Sequence, residues 1–375
     1  MIKYLQLFII LILLPNNSYA QLLPKGNYIE GGILIGRIYK HTAKIVIPVN
    51  ELPPVLGGEL SWEMRCFGQK YWHSLSRFPR LGFIGNFNAF RDPRLGWGVG
   101  IMPFVSMRFF KIGPVEMYGR MGMGLGYVSE KWDGYFNPMN NLIGSHFNSN
   151  VAFRLGLGIE AYKKFDIRPS FSFTHFSNGA SQYPNLGINV MSFHLGLLLK
   201  NSPVELCDFV HNHENMPKRH KGIRLAAYAG LGMKEIGRTY RGPKYAITVT
   251  SLEAGMFVTV NNVLKLGATH EYHQSEYDFY THSSGDLNFE AATRKANKFL
   301  FYLEDEILMG HFSLIGQVGY YFNNPTQKLP FTRIGFRYYP LDPVKKSVVP
   351  YIGIRLKSHA ITAEYFDLTI GVAIK

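Results

Sequence analysis

The chain has 375 residues and a formal charge of +14, yet only 18% of its residues are charged while 15% are aromatic and 38 are glycine. That mix suits many aromatic-bearing strands joined by tight turns better than helices. Nucleic acid is excluded as a partner because the basic residues are scattered among strand ends and turns rather than gathered on one surface.

The chain opens with Lys3, an apolar run from Leu5 to Leu14, a Pro15-Asn16-Asn17 break and Ser18-Tyr19-Ala20. This pattern predicts a secretory signal peptide over residues 1–20, cleaved after Ala20. The run is too short for a membrane-spanning helix, and nothing later approaches about 18 consecutive apolar residues, so a helical membrane protein is excluded. Loss of Lys3 takes the formal charge from +14 to +13. A partner rich in phosphate or carboxylate suits that surplus.

Alternating segments follow one another over residues 21–200: Gly31 to His41, Leu56 to Phe67, Leu81 to Phe90, Trp97 to Phe110, Val115 to Tyr127, Phe147 to Phe165, Ile167 to Ser177 and Ile188 to Lys200. Eight strands close a small barrel. Val115, Met117, Met121, Met123, Leu125 and Tyr127 share one face, opposed by Glu116, Tyr118, Arg120, Gly122, Gly124 and Gly126. Apolar residues on one face with small or charged ones on the other predict an all-β, antiparallel transmembrane barrel with its polar face inward. Cys66 and Cys207 lie far apart, and one pair is not a disulfide framework.

Residues 201–221 read as a polar linker. A second strand-rich half over residues 222–375 offers Ile223 to Met233, Tyr245 to Val260, Leu264 to Tyr272, Phe299 to Leu308, Ser313 to Phe322, Phe331 to Tyr339, Val348 to Leu356 and Ala363 to Ile374. These make either a second small barrel or the rest of one continuous barrel of about 14 to 16 strands. Ser275 to Lys298 lacks alternation and reads as an exposed crossing.

The chemistry concentrates in one hairpin. Ile167, Pro169, Phe171, Phe173, His175 and Ser177 fall on one strand face, so a His and a Ser end an apolar stripe. A turn through Ala180 to Gly187, centred near Gln182, sets Asn189 beside His175. If both ends of the first unit are periplasmic, the seventh strand ends on the extracellular side, where a lipid substrate presents itself to Ser177.

His175-Phe176-Ser177-Asn178, with Pro184-Asn185-Leu186-Gly187-Ile188-Asn189, resembles the active-site hairpin of the lipid A 3-O-deacylase (PagL) family of outer-membrane barrels. The resemblance is strongest over residues 140–199, extends over 21–200, and is shared with proteins called acyloxyacyl hydrolases. It implies His175 as general base, Ser177 as nucleophile and Asn178 at the oxyanion, with lipid A of lipopolysaccharide as substrate and the outer membrane as location. The family's carboxylate position is Asn189 here, and an amide orients an imidazole without neutralising its charge. A non-catalytic barrel that keeps the hairpin is therefore the alternative. A homodimer is left open.

Other signals carry less. H-x-S also starts at His273, His282 and His311, but only His175 has Asn178 and the Pro184-Asn185-Leu186-Gly187 turn. Gly122-x-Gly124-x-Gly126 lies inside a strand with no helix after it, so no nucleotide cofactor is expected. His211, His213 and Glu214 sit in the linker and read as solvated rather than metal-binding. His146 falls on the inward face by parity and reads as structural.

Overall fold

Period-two patterning makes the strands, and they close into two antiparallel barrels of eight strands each, not one wide barrel. The structure is a computed structural model that describes residues 25–201, 205–210, 216–235, 242–282, 289–322, 330–359 and 362–375. The expected signal peptide and the His211–Glu214 stretch lie outside these residues.

The first barrel runs through β1 (Asn27–Ile38), β2 (Val55–Arg65), β3 (Arg80–Ala89), β4 (Trp97–Ile112), β5 (Val115–Val128), β6 (Phe147–Tyr162), β7 (Phe165–Ser177) and β8 (Ile188–Lys200). Pairing of β1 with β8, from Tyr28 opposite Lys200 to Ile38 opposite Val190, closes it. The second barrel runs through β9 (Ile223–Glu235), β10 (Lys244–Phe257), β11 (Asn262–His273), β12 (Asn297–Met309), β13 (Phe312–Tyr321), β14 (Phe331–Tyr338), β15 (Val348–His359) and β16 (Thr362–Ile374). It closes where β16 returns to β9, with Ile374 opposite Leu225. Closure leaves no unpaired edge, the condition for crossing a bilayer with strands.

The two faces differ as the alternation requires. Ile33, Leu60, Phe83, Ile101, Leu125 and Phe171 project outward and are exposed, a wall that only hydrocarbon solvates without cost. Inside the first barrel, Arg120 bonds Glu30 at 2.6 Å and Glu63 at 3.1 Å, and Arg168 bonds Glu30 at 2.8 Å and lies 3.1 Å from Glu63. Inside the second, Lys265 lies 2.7 Å from Glu304 and 2.6 Å from Glu306, and Arg337 2.6 Å from Glu304. Both lumens are thus filled with paired charges. Such a lumen is a plugged core, not the water-filled channel of a porin.

Among the described residues, three α-helices stand outside the walls: α1 (Tyr71–Leu75), between β2 and β3, and α2 (Gln274–His282) with α3 (Phe289–Ala296), which occupy the segment expected to be an exposed crossing. At the barrel end opposite Ser177, Tyr71 donates to Asp342 at 3.0 Å, and Tyr71 and Trp72 join a buried cluster with Met309, Tyr339 and Val344 of the second barrel. Cys66 and Cys207 are both free thiols, one buried and one exposed.

Candidate active site

The hairpin of β7 and β8 pairs His175 with Asn189 directly. Phe176, fully buried, points the other way into a cluster with Ile188, Val190, Leu142 and Ile143. Gly98 and Gly126 make room for its ring, which gives the G-x-G-x-G stretch a packing role. With Phe176 anchored inward, strand parity turns His175 and Ser177 onto the outer wall.

His175 Nδ1 donates to Asn189 Oδ1 at 2.5 Å. An amide oxygen only accepts, so Nδ1 carries the proton and Nε2 keeps its lone pair, the tautomer a general base requires. The Asn189 amide in turn donates to His41 Nδ1 at 2.8 Å. His41 comes from the loop after β1, where the Tyr39 amide donates to the Asn189 carbonyl at 2.8 Å and Ile45, Ile47 and Val49 are buried. Sequence reasoning did not single out His41: nothing in its local pattern signals a partner across the barrel seam.

Ser177 is 2% exposed. Its Oγ accepts from the Gly179 amide at 3.2 Å and from Asn185 Nδ2 at 3.1 Å. Its carbonyl accepts from Ser149 Oγ at 2.7 Å. Asn178 gives its side-chain N–H groups to Ser145 Oγ at 2.9 Å and the Gln182 carbonyl at 2.7 Å, and its own amide to Asn185 Oδ1 at 3.0 Å. The structure therefore joins His175 to Asn189 and Ser177 to Asn185, while Asn178 shapes the turn. Gly187 lies beneath the imidazole: its φ is +84°, and a Cβ there would stand 2.6 Å from His175 Cε1. That position needs glycine on both counts.

Behind the site the inner wall is polar. Asn150 donates to the His175 carbonyl at 3.3 Å and accepts from Asn86 at 2.8 Å. His146 differs from its parity expectation: its Nδ1 donates to the Val128 carbonyl at 2.9 Å, and its ring stacks 5.5 Å from outward-facing Tyr127. The flat ring gains more by covering that aromatic face than by entering a lumen of ion pairs. Deeper down, Glu30, Glu59 and His194 converge closely enough to suggest a cation site. Arg120 and Arg168 already hold Glu30, and Arg154 holds Glu59 at 2.6 Å, so a cation there would displace guanidinium groups and face repulsion from them.

Two eight-stranded transmembrane barrels in tandem, with a His-x-Ser pair on the outer wall of the first, define the class of protein. Residues 56–197 match the family model of lipid A 3-O-deacylase (PagL), and residues 223–375 match that of the acyloxyacyl hydrolase C-terminal domain. The chain belongs to this lipid A deacylase and acyloxyacyl hydrolase family of barrels, a family of esterase-type enzymes. Among solved structures, the outer membrane enzyme PagL is similar at 14% identity, covering 47% of this chain and 99% of that one, with a TM-score of 0.33. Neisserial surface protein A is similar at 11% identity (47% and 97% covered, TM-score 0.33), and Ail, the attachment invasion locus protein of Yersinia pestis, at 18% (47% and 99%, TM-score 0.27). No curated protein sequence matches the chain.

Proposed function

We propose that the protein is an outer-membrane serine esterase that removes an ester-linked acyl chain from lipid A of lipopolysaccharide. The observation that carries this reading is His175 fixed by Asn189 as the Nδ1-protonated tautomer, two residues from Ser177 on the outward side of β7.

Catalysis would begin with transfer of the Ser177 hydroxyl proton to His175 Nε2 as Oγ attacks the ester carbonyl. The Gly179 amide and the Asn185 side chain, both already directed at Ser177 Oγ, are the oxyanion donors at hand. Asn178 joins them by releasing Ser145, whose hydroxyl retains Asn148 as a partner at 2.9 Å. One such donor contributes about 3 kcal/mol to the transition state in other hydrolases. His175 then returns the proton to the departing sugar alkoxide, and water, activated by the same nitrogen, releases the fatty acid from Ser177. Lys40, Lys44 and Arg91 are exposed on loops at the Ser177 end of the barrel and suit the phosphates of lipid A.

A non-catalytic, lipid-binding barrel is the second reading. Asn189 in the carboxylate position favours it, because the imidazolium that forms would lack a countercharge. An active-site-directed alkyl phosphonate separates the two. The esterase predicts a covalent adduct on the Ser177 peptide that His175→Ala abolishes; no adduct on folded protein would favour the non-catalytic barrel.

A further inference from the structure

The turn that carries Ser177 is strained, and part of what holds it comes from the other barrel. Gly179 and Ala180 both have φ of +62°, a left-handed conformation that costs an alanine free energy and persists only where surroundings enforce it. Ala180 is 1% exposed, and its carbonyl accepts from the Glu235 amide, at the end of β9, at 3.2 Å. The Glu235 carboxylate, itself buried, accepts from the Tyr183 amide three residues further on. Between these two anchors, the Gln182 carbonyl receives the Asn178 side chain. From β16, Phe366 packs so closely on Gly179 that a Cβ there would lie 2.2 Å from its ring.

We infer that the second barrel braces the nucleophile turn: Glu235 and Phe366 are positioning residues for a site whose reacting groups all belong to the first barrel. The brace acts from outside the hairpin, along a direction that β7 and β8 do not control. It fixes Ala180 and Tyr183, and through them the Gly179 amide that points at Ser177 Oγ. This gives the acyloxyacyl hydrolase C-terminal domain a role that needs no active site of its own. The catalytic consequence rests on the esterase reading; the brace itself does not.

The test uses the full chain in detergent, with Glu235→Ala, Glu235→Gln and Phe366→Ala checked for folded barrels by heat-modifiable gel migration. Two experiments are run: hydrogen exchange in the peptide spanning Ala180 to Tyr183, and lipid A deacylation kinetics, which give kcat and KM. Glu235→Ala and Phe366→Ala should speed exchange of that peptide and lower kcat about tenfold or more while KM stays within about twofold. Glu235→Gln keeps an oxygen acceptor and should keep both near wild type. Unchanged exchange in Glu235→Ala would overturn the brace, and faster exchange with unchanged kcat would overturn its positioning role. A wild-type chain with no turnover would sink the esterase reading, and the exchange arm would still decide the brace.

Discussion

Asn189 stands between two histidines, receiving His175 Nδ1–H on its oxygen and giving its N–H to His41 Nδ1. The second bond makes the first dependable. An unanchored amide can rotate its nitrogen toward His175, which would then have to accept at Nδ1 and carry its proton on Nε2. On the esterase reading, that tautomer could not take the Ser177 proton. His41 holds the amide the right way round.

His41→Ala should therefore lower the deacylation rate about tenfold or more, whereas Asn189→Glu should raise it and remove the dependence on His41, because both carboxylate oxygens accept. Steady-state rates of the two single variants and the double variant check this. An equal loss on His41→Ala in the Asn189→Glu background would mean that His41 acts elsewhere.

Gly187→Ala places a methyl group 2.6 Å from His175 Cε1 and at a φ of +84°. Destabilisation from the backbone is about 1 kcal/mol, but the imidazole must move, and displacement on the order of 1 Å can cost about a hundredfold in rate. Rates and thermal midpoints measured together should show a large loss of the first with a small change in the second.

How legible was this arrangement in the sequence? The strands were, because apolar residues recur every second position against an inward face of charge and glycine. So was the pairing of His175 with Asn189, which follows from the turn length. Less was readable where structure is non-local. Phe147 to Phe165 reads as one strand, but the chain reverses at Lys163 and Lys164, with Tyr162 paired to Phe165, and two lysines carry no turn signal. Two barrels rather than one depends on β16 finding β9, which no local pattern encodes. His41 and the Glu235 brace come from across a barrel seam and from the other barrel, so spacing could not reveal them. The helices in Ser275 to Lys298 read only as missing alternation.

Arg168 is fully buried and serves both Glu30 and Glu63. Arg168→Met leaves two buried carboxylates short of a partner, a change that costs about 3–5 kcal/mol when a buried pair is broken. Thermal unfolding in detergent should show a clearly lowered midpoint. An unchanged midpoint would mean that Arg80, Arg120 and Arg154 neutralise Glu30 and Glu63 without it.

Acid should weaken the contact between barrels at α1. His73 Nδ1 accepts the Gly68 amide at 3.2 Å, and burial, with Lys70 nearby, lowers its pKa from an ordinary 6.5 to about 4. Between those values the unfolded chain takes up a proton that the folded chain does not, so stability falls as pH drops through that window. His73→Gln keeps an acceptor and loses the titration, so its thermal midpoint should fall less between about pH 7.5 and 5 than that of the wild type.

The most direct test of the account is mass spectrometry of lipid A from cells expressing the wild-type chain or Ser177→Ala, at matched levels in the outer membrane and on the chain's native lipid A. The account predicts that the wild type alone removes one acyl chain, seen as a single loss of fatty-acyl mass. Identical spectra from the two would contradict it and leave a barrel that binds lipid without cleaving it.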